Sequence, residues 1–349
     1  MIGAVYCCPS SLLRISYYSP ISFSRCFPVL HSAGRPRPYM APRGHAAEPG
    51  QPAPRLKLAK MPLIYILSSR TGNVSSDLGR KNLELPDLEI FAFIASVFLS
   101  LKSWLTWYSD IASVNRLRTP VSKRLVLLTA PLVCLALTLT ALTKLAATTV
   151  RNDALYISFY LLVGAGWLGG MTLIFPFLGI SARDDVLERG NRAASWAVTG
   201  ALFGASCSFA GANVGNGPGV AAVLFSAVLS SSLFIGLWFG MDLLTSISDA
   251  ITVDRDERAG IRLGGFLLGI GLLSGWSVAG DWVSASATLK DFVTSSWPAM
   301  LLTAVAVAIE VLFRKASVQL FAKTSPSVVI SAVYVGLALV WVVNRGVHS

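Results

Sequence analysis

An all-α, polytopic membrane bundle of about eight transmembrane helices is the fold class the sequence predicts, with seven as the alternative count. Three observations predict it. Apolar residues make up 54% of the 349-residue chain and charged residues 13%, with a mean hydropathy of +0.62, whereas a soluble domain carries about 25% charged residues. The apolar residues fall in blocks long enough for a hydrocarbon core of about 30 Å, which takes around 20 helical residues. Finally, one stretch is written twice. Glu188-Arg189-Gly190-Asn191-Arg192-Ala193 returns 66 positions later as Asp254-Arg255-Asp256-Glu257-Arg258-Ala259, and Gly200 and Gly204 return at an offset of 65 as Gly265 and Gly269.

In chain order, residues 1–87 read as a basic, disordered tail. They hold 11 of the 29 Lys and Arg, and Glu48 is their only acid before Asp77. A targeting segment, which is Arg- and Ser-rich and poor in acids, and a start placed too early, with Met40 or Met61 as later candidates, are the other readings. Residues 88–180 form the N-terminal transmembrane part, with blocks at 89–108, 124–146 and 154–180. The first block is interrupted by Lys102, whose amine can snorkel toward Trp104 and Trp107; a helix lying on the membrane is the alternative. Membrane repeat 1 covers 181–246, with blocks 194–213 and 219–241. Repeat 2 covers 247–313, with blocks 260–280 and 293–313. Residues 314–349 supply a last helix at 326–343.

The net charge of +11 is placed for orientation rather than for nucleic acid. The loops on one side carry thirteen Lys and Arg, among them Arg116, Arg183, Arg255, Arg262 and Arg314; the other side carries four, namely Lys144, Arg151, Lys290 and Arg345. Cytoplasmic loops carry the excess, so 181–193 and 242–262 are expected inside and 213–219 and 280–292 outside.

Each repeat holds two spans, so both copies cross in the same direction, related by an axis along the membrane normal. The glycines predict how they pack. Gly200, Gly204, Gly211 and Gly215 share one helical face, and Gly265 and Gly269 recur in the second copy. Small residues four apart let helix backbones approach closely in lipid.

The polar turns after the first helix of each repeat carry the candidate site residues Asn213, Asn216 and Asp281, expected to line the outer mouth of any polar path. The plainer reading is a short external turn, where Asn, Gly and Pro are the usual residues. Glu310, the one acid well inside a span, is a functional candidate, or a local partner of Arg314 on the same face. Glu188, Arg189 and Arg192 are expected to fix helix ends, or to pair with Asp254, Arg255 and Arg258.

Several chemistries are absent from the pattern. Cys7, Cys8 and Cys26 lie in the tail, Cys134 and Cys207 in separate blocks, and His31, His45 and His348 in the tails, so neither a metal nor a cofactor is expected. The spans contain no nucleotide-binding, zinc-protease or nucleophile-elbow motif, which argues for a non-enzyme. Three partner expectations follow: the lipid bilayer, a homo-oligomer or another membrane protein, and no nucleic acid.

The acidic-basic turn with Gly190-Asn191-Arg192-Ala193-Ala194, the Gly200 to Gly204 segment, and their counterparts Arg258-Ala259-Gly260 and Gly265 to Gly269 resemble an uncharacterised family of bacterial inner-membrane proteins, the domain of unknown function 350. The likeness covers about residues 188–313. It implies two two-span repeats and an inner-membrane location, and it brings no established activity. Two functions therefore stand as expectations: a conduit or transporter for a small solute, and a non-catalytic structural or partner-binding membrane protein.

Overall fold

A computed structural model describes residues 85–113, 121–315 and 325–346. The tail with its cysteines and histidines, and the loop cations Arg116, Arg118 and Lys323, lie outside the described residues. Helices follow in order: α1 (Leu85–Ser113), α2 (Val121–Lys144), α3 (Thr148–Arg151), α4 (Ala154–Ile174), α5 (Arg192–Gly211), α6 (Val220–Thr245), α7 (Ile247–Thr252), α8 (Glu257–Trp276), α9 (Ala285–Ser295), α10 (Trp297–Lys315) and α11 (Ser325–Arg345). A 3₁₀ turn at Phe175–Leu178 and a π-helical turn at Ala182–Glu188 join α4 to α5. Among the described residues eight helical units are long and apolar enough to cross a membrane, counting α9 and α10 as one unit, Ala285–Arg314, broken near Pro298. Proline in a first turn lacks an N–H that would otherwise continue the preceding helix.

The helix starts are set by short polar side chains whose oxygens satisfy first-turn amides. Asp153 accepts from the Leu155 amide, Asn191 from those of Ala193 and Ala194, Asp256 from Arg258, and Ser284 from Ala287. Gly190 (φ +61°) stands just before Asn191 and Arg255 (φ +55°) just before Asp256. The chain thus bends alike as it enters α5 and α8, although only glycine holds a left-handed backbone without a steric penalty.

The 89–108 block is part of a full-length helix. α1 lies along α4, from the stacked rings of Phe93 and Phe159 to the ion pair of Asp110 with Arg183. Gly166 and Gly169 present bare backbone to Ser96 and Ser103. Lys102 points outward, but Trp104 and Trp107 do not form a belt beside it. Their indoles turn inward and donate to the carbonyls of Ala165 and Leu127, each at 3.0 Å. The second bond has a clear cause. Pro131 lies inside α2 and has no N–H for the carbonyl four residues back. That carbonyl belongs to Leu127, and Trp107 takes it over.

The core centres on α5 and α8, which run parallel in backbone contact. An added Cβ at Gly260 would sit 2.2 Å from the Ala193 carbonyl oxygen, at Gly200 2.2 Å from that of Gly264, at Gly271 2.3 Å from that of Gly204, and at Gly211 2.2 Å from that of Gly275. α8 is buried along nearly its whole length. The outer faces of α1, α2, α6, α10 and α11 carry exposed apolar side chains, among them Phe91, Leu132, Phe239, Leu301 and Leu337.

The glycine pattern needs one correction, and the structure adds the partner helix of the second copy's glycines. Gly215 is not on the α5 face, because the helix ends at Gly211; it stands in the following turn at φ +102°. Gly265 and Gly269 do not face α5 as Gly200 and Gly204 face α8. They meet α11 instead, at Ser331 and Tyr334. In α8 the face toward α5 is built by Gly260, Gly264, Gly271 and Gly275.

One end of the bundle gathers the turns 181–191 and 246–256, and the other gathers 212–219 and 277–284. Labelling of single cysteines on a cysteine-free background tests orientation. Cysteines at Asn216 and Val283, both exposed, are expected to react from outside intact cells. Cysteines at Asp184 and Asp254, also exposed, are expected to react only after permeabilisation. The opposite pattern inverts the topology.

Candidate polar cleft and buried ion pair

The turns leaving α5 and α8 are zipped together by their backbones. The Gly280 amide donates to the Val214 carbonyl (3.2 Å) and the Trp282 amide to that of Asn216 (2.7 Å), while the Gly215 amide donates to Leu145 (3.3 Å). This pairing needs glycine at 215, where a Cβ would lie 2.1 Å from the Gly280 carbonyl oxygen.

Of the three sequence-predicted polar residues, two are brought together. One carboxylate oxygen of Asp281 accepts from the Asn216 amide (2.7 Å) and from the Asn216 side chain (3.0 Å). Asn213 lies deeper, 6% exposed, and its side-chain nitrogen donates to the Phe209 carbonyl (2.8 Å). A cavity of about 200 Å³ opens here, lined by Asn213, Asn216, Ser226, Asp281, Trp282 and Asp291 among others. A neighbouring cavity of about 340 Å³ is lined by Glu89, Tyr156, Tyr160 and Thr149, and shares Asn213, Gly215 and Gly217 with the first. Asn213, Gly215 and Gly217 therefore stand between two chambers at one end of the bundle. Sequence reasoning misses Ser226, Trp282, Asp291 and Glu89. They come from four different elements, and only the closed turn brings them near.

At the opposite end lies the second cluster. Glu310 of α10 does not pair with Arg314. It holds Arg262 of α8 through two bonds, one from the ε nitrogen and one from a terminal nitrogen at 2.7 Å. Ser327 of α11 accepts from the remaining terminal nitrogen at 3.0 Å, and the guanidinium stands 4.5 Å from the centre of the Phe313 ring. Both charged side chains are buried, 4% and 5% exposed. Arg314 turns away and donates to the Ser246 carbonyl. Arg262 is not the loop cation that the charge pattern suggests; it stands in the second turn of α8, inside the bundle. The last charge of α8, one turn past Arg258 and followed only by apolar residues, glycines and a serine, is the signal that points to it.

The charged turns ahead of α5 and α8 pair locally. Arg183 bonds Glu188, Arg189 bonds Asp185, and Arg258 bonds Asp256. From one turn to the other, Asn191 donates to the Ile251 carbonyl (2.6 Å) and the Trp196 indole to Glu257 (3.4 Å).

Residues 137–278 match the family model of the Domain of Unknown Function (DUF350). The DUF350 match begins in α2, runs through α4, α5 and α6, and ends just past α8. It therefore starts well before residue 188 and stops short of α10, unlike the 188–313 span that carries the motif resemblance. The α5–α8 seam and Asn213 fall inside it, whereas Asp281, Asp291 and Glu310 fall outside. No curated protein and no solved structure matches the chain.

Proposed function

We propose that this chain is a non-catalytic membrane protein that binds a small solute in the cleft beyond α5 and α8, and not a conduit running between those helices. The reading is set in a bacterial inner membrane, with the Arg- and Lys-rich end in the cytoplasm. One observation carries it. α5 and α8 touch backbone to backbone from Ala193 and Gly260 to Gly211 and Gly275, which leaves no room for a solute where a path between paired two-helix units would run. The Arg262–Glu310 pair supports the same reading, because it ties α8, α10 and α11 into one unit at the far end.

The conduit reading keeps one observation in its favour, since the cleft presents polar groups at a helix-end constriction. Reconstitution into liposomes separates the two. Flux of potassium, small amines and amino acids is expected to equal that of empty vesicles, and Asp281→Asn to change nothing. Saturable flux that Asp281→Asn reduces would overturn the binding reading and establish the conduit.

A further inference from the structure

The lining of the proposed binding cleft carries the chemistry that selects its solute. Three carboxylates stand around the two chambers, Asp281 and Asp291 at the first and Glu89 at the second, and no Lys or Arg lines either. Among the described ion pairs none includes these three acids. Deeper in the first chamber are two acceptors, each more than nine-tenths buried. Asn213 spends its amide nitrogen on Phe209, and its side-chain oxygen has no protein partner among the described residues. Ser226, 5% exposed, likewise has none for its hydroxyl. Both residues line the cavity, and neither oxygen is sealed off from it, so each offers an acceptor to a ligand or solvent donor there.

The rest of the wall is apolar and aromatic. Ala222 and Val223 line it, and the Trp282 indole closes one side, held edge-on by Phe225 at 5.5 Å between centroids. An aromatic face beside carboxylates attracts a cation that has shed part of its water. The described residues hold no group of three or more His, Cys, Asp or Glu able to chelate a metal ion.

We infer that the cleft takes a small primary alkylammonium ion. The ammonium donates to the Asn213 side-chain oxygen and the Ser226 hydroxyl, its charge is balanced by Asp281 and Asp291, and its short alkyl chain lies against Val223 and Trp282. The inference rests on the cleft being a binding site, but not on whether anything crosses the membrane.

Calorimetric titration of the full chain in lipid nanodiscs tests it, with ethylammonium as the probe and potassium, ethanol and propionate as comparisons. Ethylammonium is expected to bind and the other three not to. Asp291→Asn and Ser226→Ala are each expected to weaken binding by about tenfold, the scale of one charge-assisted or buried contact. Asp291 has no described side-chain partner, so its variant keeps the fold even if Asp281→Asn, which also releases Asn216, does not. No ethylammonium binding, equal binding of ethanol, or affinity unchanged in both Asp291→Asn and Ser226→Ala would overturn the inference. Binding accompanied by liposome flux would leave it standing and remove the non-conduit reading. An absence of both binding and flux would reject the ligand alone.

Discussion

Gly264→Leu is expected to split the bundle along its central seam. The glycine faces the Trp196 carbonyl oxygen, 2.6 Å from where a Cβ would stand, and its own carbonyl lies against Gly200. The obstacle in both directions is helix backbone, which cannot swing aside as a side-chain tip can. Overpacking costs about 1–3 kcal/mol where side chains can adjust, and occasionally more; this contact belongs at or above the top of that range. Gly200→Ala should already be harmful, since one methyl meets the Gly264 backbone at 2.2 Å. Gly204→Leu should lose about as much as Gly264→Leu, since a Cβ there stands 2.4 Å from the Leu267 carbonyl oxygen, whereas Gly269→Leu should lose less, because its nearest neighbours lie at 3.1 Å and one is the movable tip of Leu302. Gly236→Ala and Gly240→Ala on α6, where an added Cβ meets nothing within 4 Å, are the controls and should be neutral or slightly stabilising. Thermal unfolding in detergent measures all six. Gly264→Leu as stable as Gly236→Ala would show that the seam is not closed as described.

The class of fold was legible because block length and composition report it directly. Even the weak 89–108 block is a full helix, since its one interrupting charge, Lys102, faces outward. Helix starts were legible only as the block edges 194 and 260; the caps Asn191 and Asp256 set the true starts two and three residues earlier. Partner choice was not legible. Gly200 and Gly265 stand at matching positions of similar stretches, which suggests the same face, yet Gly200 meets α8 and Gly265 meets α11. The bond from Trp107 to Leu127 depends on a proline in another helix. Glu310 has Arg314 four residues away and Arg262 forty-eight away, and the distant one wins because it is buried beside it while Arg314 reaches the surface. In the cleft, Asn216 and Asp281 were readable as turn residues. Ser226 and Asp291 were not, since each belongs to a helix that the closed turn alone brings near.

Glu310→Ala is expected to be among the most damaging single changes in this protein. It removes both acceptors of the Arg262 bonds to α10 and leaves a guanidinium 4% exposed with Ser327 as its hydrogen-bond partner. Taking one partner from a buried ion pair costs about 3–5 kcal/mol, because the remaining charge stays desolvated and uncompensated. The cost arises from the orphaned charge rather than from the worth of the pair, and that distinction yields a sharper test. Arg262→Met combined with Glu310→Leu removes both charges, fills similar volume, and should recover most of the stability that Glu310→Ala loses. Glu310→Gln should fall between, keeping an acceptor but not the charge. α11 supplies a second readout, since Ser327 is tied to Arg262: a cysteine at exposed Val328 should react faster with a membrane-permeant thiol reagent in Glu310→Ala than in the parent. Stability of Glu310→Ala equal to that of the parent, with no change at Val328, would mean that Arg262 reaches water and that the pair is not buried in the membrane.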